Sequence, residues 1–367
     1  MSLSLGLWLP IFGRWLRNVP NERMDWTFDY NKRVAKMADR LRFSTILVAE
    51  LNMNDIKGHD APMLEAWTTS AALTAATYHI RITAAIRPGF RLPAIVAKMS
   101  ANIDHICNGR FELNLVSAWW KEEMEMYVGS WLDHTERYQR SSEFAQVLKG
   151  AWREKVFKYD GKFYQSKGCV LNPKPVQTPG VPIWAGGESE EGREMVACEC
   201  DGYMMHGDSP EAIGEFIDDM RKRRERLGLV PMKYGMAAYI IARPTEAEAQ
   251  AELDRVVDVK ADQRIYETYQ AFVSGSKLRT NISLEDYSVS NRGLRPGLVG
   301  TPERIAERLG VFEDLGIDVV LAKCSPMHKD VAYIGEALLP LIGQARPVSS
   351  VGSNAHIWRA TLRRLVG

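Results

Sequence analysis

Residues Arg110–Trp120 read RFELNLVSAWW. A short apolar run that ends in small residues and two tryptophans reads as a buried strand. Asn114 interrupts it. A buried amide is costly unless hydrogen-bonded, so Asn114 either satisfies a backbone group or faces something bound.

Seven comparable runs lie outward from this one: Leu3–Pro10, Phe43–Leu51, Ile80–Pro88, Val181–Gly187, Asp201–Gly207, Tyr234–Ala242 and Ile317–Ser325. Helical patterns fill the gaps at Trp26–Leu41, Glu65–Thr77, Leu92–Cys107, Thr135–Trp152, Ser189–Cys200, Ser209–Leu227, Thr245–Val257, Thr301–Leu315 and Val331–Ala345. Gly109 is placed to end the third helix, and Thr301 to cap the eighth. Tyr159–Tyr164, YDGKFY, reads as a hairpin excursion. Continuous apolar strands alternating with helices imply parallel pairing. Eight such units predict a (β/α)8 TIM barrel, with a doubly wound open sheet as the competing arrangement. The first strand lacks a G-x-G-x-x-G turn, which weighs against a Rossmann fold. The barrel is expected over residues 1–345, with an insertion at 258–297 and a C-terminal tail at 346–367. The insertion is a candidate lid, and the amphipathic tail a candidate docking segment.

The totals exclude several functions. A formal net charge of +1 gives no global case for nucleic acid. No apolar run approaches the roughly 20 residues of a membrane span, and the N-terminus lacks the pattern of a signal peptide. Five cysteines, an odd number, suit reduced thiols and a cytoplasmic location. No cysteine or histidine spacing fits a metal site, so no metal is expected.

In a barrel, chemistry sits at the C-terminal ends of the strands. Gly186, Gly187 and Ser189 join a strand to a helix, where exposed N–H groups and a positive dipole end suit a phosphate. An ordinary N-cap explains the serine equally well. Arg137 and Tyr138 open another helix, as a phosphate fork and hydroxyl or as a solvated helix start. Asn114 both donates and accepts, which suits the edge of a flat heterocycle. Trp119 could stack on a ring, and His206 is a candidate acid or base.

These fragments together resemble the bacterial-luciferase-like flavin monooxygenases. RFELNLVSAWW, WLDHTERYQRSSEFAQVLKGAW (131–152), YDGKFY, LNPKPVQTPGVPIWAGGES (171–189) and LVGTPERIAERL (298–309) carry the resemblance over nearly the whole chain. The look is nearest to members that oxygenate sulfones, alkanesulfonates and pyrimidines. The resemblance implies a barrel that takes reduced FMN from a separate NAD(P)H-dependent flavin reductase. It also implies O2 activation through a flavin peroxide, and a homodimer or homotetramer. Carried over by position, Glu50, Leu51, Asn114, Glu123, Arg137, Tyr138, Gly186, Gly187 and Ser189 are the flavin set. His206, Trp119 and Tyr239 are the catalytic candidates, and Arg87, Arg292 and Arg295 the candidates for an anionic substrate group.

Departures fall on the substrate side. Ala237 and Tyr239 stand where alkanesulfonate oxygenases carry arginine and histidine, and the tyrosine after the eighth strand is missing. Glu188 replaces a frequent serine, placing a charge beside the expected phosphate. The expected activity is oxygenation of a small organosulfur compound with C–S cleavage. The alternatives are the same flavin chemistry on an N-heterocycle or ketone, a deazaflavin-dependent dehydrogenase, and a non-catalytic flavin-binding protein.

Overall fold

Eight of the apolar runs form parallel strands that close on one another. The computed structural model describes residues 3–19, 21–258, 266–267, 269–270, 282–289 and 292–342. In chain order the first part contains β1 (Ser4–Leu9), α1 (Phe28–Arg40), β2 (Thr45–Val48), α2 (Ala66–Ala76), β3 (Arg81–Ile86), α3 (Pro93–Ile106) and β4 (Phe111–Leu115). Next come α4 (Lys121–Tyr127), α5 (His134–Arg153), β5 (Phe157–Asp160), β6 (Gln165–Cys169), β7 (Ile183–Ala185), α6 (Glu190–Glu199), β8 (Gly202–His206) and α7 (Pro210–Arg226). The remainder holds β9 (Lys233–Tyr239), β10 (Ile241–Ala242), α8 (Glu246–Val257), α9 (Leu284–Ser288), β11 (Val299–Gly300), α10 (Pro302–Leu315), β12 (Val319–Lys323) and α11 (Met327–Tyr333).

The barrel runs β1-β12-β9-β8-β7-β4-β3-β2 and closes through β1 with β2. Alternation along each strand divides the core in two. Inside the barrel, Leu47, Trp184, Ala237, Val319 and Leu321 pack with Trp8 and Met204. Residues of the opposite parity, such as Leu113, Leu115, Met205 and Val320, join the larger core. Each fully buried large apolar side chain contributes about 1.5–3 kcal/mol. Gly202 is required by this filling: a Cβ there would lie 2.2 Å from the Trp184 ring.

Local chemistry sets the helix starts. Asp133, Ser189, Ser209 and Thr301 each accept a backbone N–H from the first turn, and Thr245 completes a capping box with Glu248. The Tyr159–Tyr164 hairpin forms as the antiparallel pair β5–β6.

Three expectations need revision. Lys121–Tyr127, to which the sequence reading gives no element, is helix α4, with Glu122 and Glu123 in its first turn, where acidic side chains favour a helix. The seventh run divides: Tyr239 donates its N–H to the Gly293 carbonyl, and β10 leaves to pair with β11. The final helix starts at Met327, after Pro326, and passes into a π turn at Ile334–Leu338 and a 3-10 turn at Leu339–Leu341. Pro340 has no N–H to continue a regular helix.

The tail at 346–367 lies outside the described residues, as does most of the expected lid. Among the described residues, no helix is long and apolar enough to cross a membrane, and no cluster of three metal-ligating side chains occurs. None of the five cysteines is paired in a disulfide.

Candidate active site

Asn114 pairs in register with Ala85 on β3 and Trp184 on β7. Trp184 belongs to the barrel interior, so Asn114 turns inward as well. Its Oδ1 is buried and finds no hydrogen-bond partner among the described residues. Such an acceptor costs about 1–3 kcal/mol while unsatisfied. The internal strand hydrogen bond, one of the two readings of this residue, is therefore not made by the amide oxygen. Trp8 Nε1, another interior group, is likewise buried and unpartnered. Trp8, Asn114, Met204 and His206 all keep partial exposure, although the strands carrying them are buried. They line the open end of the barrel.

His206 closes β8 opposite Ala237. Burial, with a smaller push from the Lys323 charge, brings its pKa down to about 4. The ring is neutral at pH 7, able to donate from one nitrogen and accept at the other. Between pH 6.5 and 4 the unfolded chain binds a proton that the folded chain refuses, so His206 makes stability fall as pH drops through that window. In His206→Asn the slope of unfolding free energy against pH is expected to flatten there. Urea unfolding at pH 6.5, 5 and 4 measures it, and an unchanged slope would refute the assignment.

A second cluster lies where β7 meets α6. Ser189 Oγ accepts the Gly192 N–H at 3.1 Å. Tyr138, from α5, leans into the same turn and hydrogen-bonds Ser189. Burial raises its pKa, so the phenol keeps its proton. A Cβ on Gly187 or Gly192 would stand 2.9 Å from the Tyr138 hydroxyl, and one on Gly186 2.6 Å from the Met204 carbonyl. On the other side, Tyr203 donates to the Gly187 carbonyl at 2.8 Å. Arg137 lies 4.2 Å over the Trp131 ring and donates to the Leu132 carbonyl at 2.8 Å. Its Nε is buried and unpartnered among the described residues. The result is a turn of bare backbone with a helix N-terminus and the Ser189 and Tyr138 hydroxyls beside it, Arg137 being the chain neighbour of Tyr138 on α5. Glu188 pairs with Arg292, which offsets its charge beside this turn.

Several of the expected site residues meet in the wall between β2, β3 and α4. Arg87, 1 % exposed, donates to Glu123 Oε1 at 2.7 Å through Nη2 and to the other carboxylate oxygen through Nη1. Glu123 also receives the Asn52 N–H at 2.5 Å. Glu50 accepts the Arg87 N–H at 2.6 Å and pairs with Arg91. Both terminal nitrogens of Arg87 are thus engaged by one internal carboxylate. Glu50 and Glu123 hold Arg87 and Arg91, and Leu51 is a buried core residue.

Arg292, 1 % exposed, is held by Glu188 and by Asp208, the latter at 3.2 Å, and Arg295 by Asp286 at 2.8 Å. Neither offers an uncommitted charge to a substrate anion. Tyr239 is wholly buried, its hydroxyl without a hydrogen-bond partner among the described residues. Burial and the nearby Glu22, Cys324, Asp330 and Glu252 raise its pKa. Trp119 is 48 % exposed and stacked on Trp120 at 5.7 Å, and so cannot by itself exclude water.

Sequence reasoning missed Lys323 and Trp8. Lys323 interrupts VVLAK as Asn114 interrupts FELNL, and the same question applies to it. Its Nζ lies 4.4 Å from the centroid of the Trp8 ring.

A closed parallel barrel with its polar side chains gathered at the strands' C-terminal ends defines an enzyme scaffold. The Luciferase-like monooxygenase family model matches residues 7–319, and the chain belongs to that family. An FMNH(2)-dependent dimethylsulfone monooxygenase of Pseudomonas putida is 34% identical over 349 residues, covering 93% of this chain and 95% of the relative. One from Pseudomonas fluorescens (strain Pf0-1) is 34% identical over 366 residues, covering 97% and 99%. Among solved structures, the EDTA monooxygenase from Chelativorans sp. BNC1 shares the fold, with a TM-score of 0.76, 18% identity and coverage of 96% and 97%.

Proposed function

We propose that the protein is a two-component monooxygenase that binds reduced FMN and uses O2 to oxygenate a small organosulfur compound, a sulfone in the first instance. The substrate class rests on one observation, the 34% identity to dimethylsulfone monooxygenases along nearly the whole chain. The residues present fit the cofactor. The orphaned Asn114 Oδ1 suits a ring N–H. The Gly186–Gly187 turn, Ser189, Tyr138 and Arg137 suit a phosphate at a helix N-terminus.

Reduced FMN supplies two electrons and the centre at which O2 is activated. The chain does the rest. Asn114 orients the ring edge, and the turn before α6 anchors the phosphate. Trp8, Trp184 and Met204 keep water from the barrel interior, where exclusion of water protects reactive species. His206, neutral at pH 7, is placed to pass a proton at the mouth. Inserting one oxygen atom into a C–H bond beside the sulfonyl group, with the other leaving as water, yields an α-hydroxysulfone. That product collapses to an aldehyde and a sulfinate.

The flavin would arrive from an NAD(P)H-dependent reductase, and the chain would work as a homodimer or homotetramer. Oxygen uptake with photoreduced FMN, purified protein and a panel of sulfones, sulfonates, pyrimidines and ketones tests the proposal, with products read by mass spectrometry. Sulfone-dependent sulfinate and aldehyde are expected. A ring-opened or lactone product instead would replace the substrate class. Flavin binding with no product from any of the panel would overturn the enzymatic reading.

A further inference from the structure

Five arginines are buried among the described residues. Four of them have acceptors. Arg87 is held by Glu123, Arg223 by Glu190, Glu194 and Asp219, and Arg292 by Glu188 and Asp208. Arg224 donates to the Val230 and Ala197 carbonyls at 2.8 and 2.9 Å. Arg140, 9 % exposed, is the exception. Its Nε is buried without a hydrogen-bond partner, and no carboxylate among the described residues pairs with the guanidinium. Burial disfavours the charge and lowers the pKa, but a guanidinium does not give up its proton in a protein. A buried charge calls for a counter-charge or a set of acceptors.

A second donor stands beside it. Arg140 lies on α5 one turn before Phe144, whose ring meets Tyr164 edge-on at 5.8 Å. Tyr164 sits in the turn between β5 and β6. Its hydroxyl is buried and finds no hydrogen-bond partner among the described residues. Arg140 and Tyr164 act on each other's charge, and burial pushes the phenol up to about 12, so it keeps its proton. Gly89, in the loop between β3 and α3 at φ +110°, supplies another wall. A Cβ there would stand 2.9 Å from Arg140 Nη1 and 2.9 Å from Met124 Cε. A guanidinium and a phenol thus share one corner with Phe144, Met124 and bare backbone, both as donors and neither with an acceptor.

We propose that Arg140 and Tyr164 form a site for a small monovalent anion, chloride in the first instance, bound between α5, the β5–β6 hairpin and the Gly89 loop. One negative charge offsets one guanidinium. A spherical ion accepts from donors on separate elements without a preferred direction, and the apolar walls favour it over a larger, more strongly hydrated oxyanion. Arg137, one turn earlier on α5, is repelled by Arg140, and an anion at Arg140 weakens that repulsion. The ion thereby ties the hairpin to the helix that carries Arg137 and Tyr138. The site stands on residues outside the proposed flavin set and does not depend on that reading.

The test uses the full chain without flavin. Thermal unfolding is followed in sodium gluconate, acetate, chloride and bromide at one ionic strength. Arg140→Met, measured in parallel, carries the general effect of each salt. Relative to that variant, chloride and bromide should each raise the wild-type Tm over gluconate by about 3 °C, the shift from an ion at roughly 100 times its Kd in a chain of this size. Acetate should not. Tyr164→Phe keeps the ring against Phe144 and removes the hydroxyl, and should weaken the apparent halide affinity on the order of 10-fold. If Arg140→Met does not fold, Tyr164→Phe takes its place in the comparison. Crystals grown in bromide should show an anomalous peak within hydrogen-bond reach of Arg140 and the Tyr164 hydroxyl. The same Tm in all four salts overturns the assignment, as does a halide shift that persists in both variants. An acetate shift as large as that of chloride overturns the choice of a halide. A bromide peak with no halide shift in Tm marks an adventitious ion only, and the assignment falls with it.

Discussion

Replacing Glu123 by leucine is expected to lower the unfolding free energy by about 3–5 kcal/mol, the usual effect of stranding one member of a buried ion pair. Arg87 is 1 % exposed, and both of its terminal nitrogens donate to Glu123. Once the carboxylate is gone, the guanidinium remains buried in a wall whose other acid, Glu50, also serves Arg91. The Asn52 N–H loses its acceptor as well. Arg87→Met should be similarly costly, because it strands Glu123. The double variant Arg87→Met/Glu123→Leu should recover most of the loss, since an apolar pair of similar volume often matches a buried salt bridge. Urea unfolding of the three variants forms a double-mutant cycle. Additive losses in the double variant would show that the two side chains do not act as a pair.

Gly187→Val is expected to weaken FMN binding on the order of 100-fold, the loss from one or two charge-assisted hydrogen bonds. A Cβ at this position would stand 2.9 Å from the Tyr138 hydroxyl and 3.1 Å from the Gly192 Cα. Tyr138 is half-buried and held by Ser189, so a larger side chain at 187 fills the space above the bare backbone instead of displacing the ring. Riboflavin has the same ring and no phosphate, and its affinity should change by less than about threefold, with no charge-assisted bond at stake. Quenching of flavin fluorescence compares the two ligands, and Arg137→Met should reproduce the same split without added bulk. Equal weakening of FMN and riboflavin would remove the turn from the phosphate site.

The barrel was legible because parallel strands covered on both faces must be apolar throughout, and each run carries its own punctuation. Capping residues such as Ser189 and Thr301 fall where the sequence places them. Asn114 stood out for the same reason, as a polar group in an apolar strand. Lys323 carried an identical signal and was passed over.

What the sequence could not disclose is the pairing of charges. Arg87 meets Glu123 across 36 residues, and Arg292 meets Glu188 across 104. An arginine whose carboxylate lies that far along the chain looks available until the fold closes. The break after Tyr239 was hidden similarly, because it depends on the carbonyl of Gly293 in a distant loop.

Strand order has a consequence for adaptability. The glycine turn and Asn114 follow or belong to the adjacent strands β7 and β4, whereas Trp8 and Lys323 belong to the adjacent strands β1 and β12 on another arc of the circle. If the proposed flavin site is right, the cofactor is gripped by one arc of the rim, and the other arc is left to shape what reaches it. On that reading, a lineage or a designed library could vary the β12–β1 arc, a quarter of the rim, while leaving the strands of the proposed cofactor site untouched.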